Sequence, residues 1–260
     1  MQYNNHGINE IAFTNNVCQS EWQYNVGDVN DQLIQFDPIV PQSNTVEIPV
    51  LRTQSGRDKE KLNRRYRQVE LYINRLFDNK SRLLVLRIDL GYHQELAHII
   101  SADQAMADLN HFMNNRRSNS HLFADWLGYI RKTEWSADKG MHFHMIIFYD
   151  GQQRQKDTYW TQAIGEYWKL ITGGRGYYWN CNDKSNNDYV RYGIGMVEHH
   201  DLEKRKILLE DVAKYLTKVE QQPPQYYSAS GHDRLFAMGA MPKVRTSDAG
   251  RPRLVKMDEI

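Results

Sequence analysis

Cysteine is scarce in this 260-residue chain. Cys18 and Cys181 are its two thiols and no Cys-x-x-Cys occurs, which excludes a disulfide framework and makes a reducing, cytosolic setting the default expectation. No run of eighteen apolar residues is present, and residues 1–5 lack the charged and apolar regions of a signal peptide. The expectation is a cytoplasmic protein, neither exported nor membrane-spanning. Basic residues are missing from one segment: residues 1–50 hold Glu10, Glu21, Asp28, Asp31, Asp37 and Glu47 but no Lys or Arg. That segment is −6, so the other 210 residues carry +7 of a chain whose net charge is +1. The body is the basic part, as a nucleic-acid partner requires.

With 40% apolar and 25% charged residues, the chain can build one good core plus an appended segment. Residues 1–56 are rich in Asn and Gln, include Pro38 and Pro41 and show no sustained period, so they read as an acidic, irregular extension. Over 57–77, Leu62, Tyr66, Val69, Ile73 and Leu76 recur at three and four, with Lys61, Arg64, Arg65 and Arg67 between them. This is an amphipathic helix with a basic flank. Residues 83–90 read as a buried strand interrupted by Arg87 and Asp89, which share a face and mark it as polar. Ser101 and Gln104 form a capping box for a helix reaching residue 114.

Residues 126–134 and 141–149 are rich in aromatic and β-branched side chains on either side of turn chemistry at 136–140, a β-hairpin. A helix over 157–171, with an aromatic stripe read as core, leads through a glycine turn at 173–176 into a strand at 176–180. That turn lacks the Lys-Ser/Thr of a phosphate-binding loop. A further strand at 190–197 and a helix or helix pair over 202–220 follow. Residues 223–260 lose periodicity and form a basic, irregular tail whose Arg251 and Arg253 can follow a nucleic-acid backbone. The order β-α-β-β-α-β with an extra strand predicts an α+β domain over 57–222. Its expected form is a ferredoxin- or RRM-like antiparallel sheet with helices on one face and a working, open face.

The hairpin organises the chemistry. His142 and His144 lie one residue apart on a strand and so point to one face, and a turn centred near Asp138 sets Glu134 across the ladder from His142. Two imidazoles and a carboxylate with open positions suit Mg²⁺ or Mn²⁺ in a working site. Tyr215, in the late helix, supplies a nucleophile for a phosphate held there, and Lys218, one turn on, can lower the phenol's pKa or steady the phosphate. Against this stands an apolar stripe of Leu208, Val212, Tyr215 and Val219, on which Tyr215 is a packed core residue. Tyr189 and Tyr192 are weaker candidates, since neither has a Lys three residues later.

These residues carry a family likeness. The stretch around His142, Phe143 and His144 resembles the His-hydrophobic-His motif of HUH endonucleases, and Lys214, Tyr215 and Lys218 resemble their Tyr-x-x-Lys motif. Arg87 and Asp89 stand where that family's first motif falls, and Glu134 where some replication initiators have a third metal ligand. The runs 128–135, 144–151 and 164–168 look more specifically like inovirus-type replication initiators and YagK/YfjJ-like prophage proteins. The resemblance implies a nickase that starts rolling-circle replication of phage, plasmid or prophage DNA in a bacterial cytoplasm. It implies a covalent 5′-phosphotyrosine on Tyr215 and a divalent metal on Glu134, His142 and His144; contacts to DNA phosphate are expected from Arg87, Asp89 and Lys214 and, in the basic tail, from Arg251 and Arg253. The implied partners are single-stranded or hairpin origin DNA, a second protomer and host replication proteins. Two departures are visible: the first motif lacks its Thr-rich form, and Val219 replaces the second tyrosine of a Tyr-x-x-x-Tyr pair. Two other readings stay open, a DNA-binding prophage regulator without catalysis and a metal-dependent phosphoesterase without a covalent intermediate.

Overall fold

The structure, a computed structural model, describes residues 56–186, 191–218 and 235–244. The expected N-terminal extension, Tyr189, Arg251 and Arg253 lie outside the described residues. Helix α1 (Gly56–Asn79) leads into strand β1 (Arg82–Tyr92), a short helix α2 (Gln94–Ala97), α3 (Ala102–Asn114), and a brief α4 (Ser120–Phe123). The hairpin β2 (Trp126–Ser136) and β3 (Gly140–Asp150) follows, then α5 (Asp157–Ile171), β4 (Gly176–Asn180) and β5 (Gly195–Glu198). Local chemistry sets several boundaries. Ser101 caps α3 by accepting the Gln104 backbone N–H at 3.1 Å. The hairpin turn closes on Gly140, whose φ of +61° suits glycine and whose position leaves no room for a Cβ, 2.5 Å from the Ala97 carbonyl.

The strand pairings among the described residues are antiparallel, in the order β4-β1-β3-β2 and then β6 (Phe236–Met238), with β5 also pairing β1. This is a mixed α+β, ferredoxin-like sheet. Strand β6 (Phe236–Met238), which pairs with β2, corrects the expectation of an irregular tail beyond residue 222. Three residues are too few to leave a periodic signal. The strand expected over 190–197 begins only at Gly195 among the described residues, and β4 and β5 share one edge of β1 end to end. Asn182 bridges the gap between them: its side chain accepts the Arg87 N–H at 2.7 Å and donates to the Val85 carbonyl at 3.1 Å.

Period-two alternation sorts the sheet into two cores. Leu84, Leu86, Ile88, Phe143, Met145 and Ile147 face α3 and α5, where Trp168 is fully buried and donates its indole N–H to the Gly91 carbonyl at 2.7 Å. The opposite side chains, Leu83, Val85, Ile146 and Phe148, meet Val69, Tyr72, Ile73, Leu76 and Phe77 of α1. Each buried Leu, Ile or Phe contributes about 1.5–3 kcal/mol, so this second core fixes α1 firmly. The face expected to be open is therefore helix-covered over its Ile146 and Phe148 end; beyond it His142 is partly exposed and His144 is buried. Nothing in a sequence pattern says where a helix that precedes the β-α-β-β-α-β unit will dock.

Candidate metal centre

Because Ser136 pairs with Gly140, Glu134 pairs with His142 and Lys132 with His144, the register that the turn length implied. One ligand atom from each of Glu134, His142 and His144 lies within 4.8 Å of the others. Glu134 Oε2 is 3.0 Å from His144 Nε2 and 3.7 Å from His142 Nε2. The outward nitrogens are held from behind. His142 Nδ1 lies 3.0 Å from the Gly140 carbonyl, which can only accept, so Nδ1 carries a proton and Nε2 is the nitrogen turned to the cluster. His144 Nδ1 is 2.8 Å from Asp89 Oδ1, a carboxylate behind a ligating histidine. The donor set fits a divalent cation, with Nε2, Nε2 and a carboxylate oxygen turned to one point.

Charge is balanced tightly here. Arg87, 8% exposed, ion-pairs with Asp89, and its Nη2 lies 3.3 Å from His144 Nδ1. Burial pulls the His144 pKa down, but hydrogen bonds to Asp89 and Glu134 outweigh it and hold the ring above the ordinary imidazole value. Hydrogen bonds from His142 and His144, reinforced by Lys132, hold Glu134 well below the usual carboxylate range. Lys132 is a site residue that pattern reading missed. It is 2% exposed and ion-paired with Glu134. Its position two before Glu134 on one strand was the available signal.

Tyr215 arrives from a single late helix with a defect in it. An α-turn, α6 (Leu202–Ile207), is followed by a π segment (Leu208–Ala213) and then α7 (Lys214–Leu216). The π segment acts as a one-residue insertion: the buried positions are Leu208, Ala213 and Leu216, spaced five and three instead of four and three. The apolar stripe through Val212 and Tyr215 is thereby broken. Tyr215 is 42% exposed, its ring 6.0 Å from that of His144 at 82°. Lys218 Nζ lies 4.6 Å from the Tyr215 ring centre and Lys132 Nζ 5.9 Å.

The phenol is not activated by the chain alone. Burial, then the negative charge of Glu134, raise its pKa, with Arg87 opposing. Lys214 turns elsewhere, its Nζ 5.7 Å over the Tyr66 ring of α1. Tyr192 is tied down by its hydroxyl, which donates to Asp157 at 3.0 Å. The structure thus brings together Glu134, His142, His144, Arg87, Asp89, Tyr215 and Lys218, and leaves Lys214 apart.

No helix among the described residues is long and apolar enough to cross a membrane. Comparisons of the chain with protein-family models, with curated proteins and with solved structures give no match.

Proposed function

We propose that this protein is a metal-dependent single-strand DNA nickase of the HUH type, using Tyr215 as its nucleophile to start rolling-circle replication. The observation that carries the reading is the approach of an exposed tyrosine, freed from the core by a π turn, to a partly buried two-histidine, one-carboxylate cluster. Glu134, His142 and His144 would hold a divalent ion, which when bound would supply charge neutralisation for a phosphodiester and offset the Glu134 charge that opposes phenolate formation. The Tyr215 oxygen attacks phosphorus and its proton leaves to solvent. The bond from phosphorus to the 3′-oxygen breaks, that oxygen takes up a proton, and the 5′-phosphate stays on the protein as a phosphotyrosine diester. Lys218 and Lys132, whose ammonium groups lie 4.6 and 5.9 Å from the ring centre, steady the negative charge that develops there. With one tyrosine, a second protomer or water completes a round.

The test uses the full chain, Mn²⁺ and a pool of 3′-labelled random-sequence single-stranded oligonucleotides, read on a denaturing gel. A labelled protein adduct is expected, lost with EDTA and with Tyr215→Phe. An adduct that survives Tyr215→Phe overturns the nucleophile. DNA binding without cleavage supports the regulator reading, and turnover of bis(p-nitrophenyl) phosphate without an adduct supports the phosphoesterase reading.

A further inference from the structure

Helix α1 holds more positive charge than its packing uses. Over residues 60–67 it carries Lys61, Arg64, Arg65 and Arg67 against one acid, Glu60. Its apolar side is accounted for, since Val69, Tyr72, Ile73, Leu76 and Phe77 are buried in the core shared with the sheet. Lys61, Arg64 and Arg67 recur at every third position, so they wind along one outer side of the helix, and all three are exposed. Among the described residues no carboxylate pairs with any of them. Lys61 stands three before Arg64 and four before Arg65, and Arg64 three before Arg67, spacings at which like charges weaken a helix. A surface that keeps cations together at that cost is matched to an anion arriving from outside.

The stripe lies on the ligand side of the sheet, close to the metal centre. The Arg65 guanidinium sits 4.5 Å over the Phe236 ring, and Phe236 is the register partner of Lys132, which ion-pairs with Glu134. On the other flank of α1, Tyr66 meets Lys214, the chain neighbour of Tyr215, at 5.7 Å. There the negative charges of Glu70 and Glu210 also act on Tyr66, which leaves that flank without a positive excess. The excess is therefore on the outer side. We infer that Lys61, Arg64 and Arg67 form a backbone track for single-stranded nucleic acid, each holding one phosphate of the strand that leaves the metal centre. The continuity with a cleavage site rests on the nuclease reading; the attraction for a polyanion rests on α1 alone. The chain's own segment 1–50 is also anionic, but its six carboxylates are spread over fifty residues, whereas a nucleic-acid strand carries one charge per nucleotide.

The experiment measures binding of a fluorescein-labelled oligothymidylate to the full chain in EDTA, by fluorescence anisotropy over about 50–200 mM KCl. Each phosphate contact on a single strand adds about 0.7 to the slope of log affinity against log salt. The triple variant Lys61→Gln, Arg64→Gln and Arg67→Gln keeps helix-forming side chains, and its slope should be smaller by about 2, with roughly 100-fold weaker binding near 0.1 M salt. Each single substitution should take about 0.7 off the slope, and these serve if the triple protein does not fold. Lys156→Gln with Lys169→Gln, at α5 on the opposite face of the sheet, should leave the slope as it is. The inference is overturned if the wild type does not bind, if the α1 variants keep its slope, or if the α5 variant loses as much. Were segment 1–50 the occupant of the stripe, neutralising α1 would leave DNA binding unchanged or tighten it, which overturns the inference as well. Failure of the nuclease reading shows separately, as absence of the covalent adduct with Mn²⁺ while the α1-dependent slope persists.

Discussion

Asp89→Asn isolates the contribution of a charge that never touches the cation. Asp89 Oδ1 sits 2.8 Å behind His144 and also neutralises Arg87, a guanidinium that is 8% exposed and 3.3 Å from the same ring nitrogen. The amide keeps an acceptor for the ring N–H but removes the negative charge. His144 then loses basicity and faces an unbalanced Arg87. Loss of such an outer carboxylate costs roughly 10- to 100-fold in metal affinity, or about 1.4–2.7 kcal/mol. Asp89→Ala, which also frees the ring to turn, should lie at the upper end or beyond. Titration calorimetry with Mn²⁺ at fixed pH reads the effect, with near-ultraviolet circular dichroism reporting that each variant is folded. Since the metal-free His144 is held protonated above the ordinary imidazole value, Mn²⁺ must displace a proton from Nε2. Wild-type affinity should therefore fall as pH drops through that raised pKa. Wild-type Mn²⁺ affinity in both folded Asp89 variants would refute the role given to this carboxylate.

Other outcomes follow from the same coordinates. Gly140→Ala puts a Cβ 2.5 Å from the Ala97 carbonyl at a φ of +61°, and should cost about 1–3 kcal/mol in urea unfolding while weakening Mn²⁺ binding through His142; unchanged stability would contradict the turn geometry. Lys132→Met strips the partly buried Glu134 of its ammonium partner and should lower metal-free stability by about 1.5–3 kcal/mol, with Mn²⁺ raising the melting temperature more than in the wild type; an equal rise in both proteins counts against it. Burial pushes the Tyr72 phenol from 10.0 up to about 12, partly opposed by the Tyr129 N–H donating to it. Its folded pKa lies above the unfolded one, so its contribution is complete below pH 10 and is lost as pH rises toward 12. At about 1.4 kcal/mol per unit, that loss approaches 3 kcal/mol, and stability of Tyr72→Phe should decline less steeply than wild type over that window.

What the sequence determined by itself was whatever depends on short-range periodicity. Phe143, Met145 and Ile147 alternate with His142, His144 and Ile146, and that alternation alone assigns the two faces of β3. The pairing of Glu134 with His142 needs only the length of one turn, so the ligand triple was legible before any coordinates. Tertiary structure decided what crosses between elements. The stripe of Leu208, Val212 and Tyr215 assumes an unbroken α-helix, and packing against α1 and the sheet instead favours Leu208, Ala213 and Leu216, which a π turn permits. That choice puts the phenol on the surface. The docking of α1 on the ligand face, the three-residue β6 and the Asn182 bridge rest on contacts between distant residues, where no local pattern reaches. Lys132 shows the boundary between the two: its face followed from counting, but its burial against Glu134 followed only from the closing of the helix over the sheet.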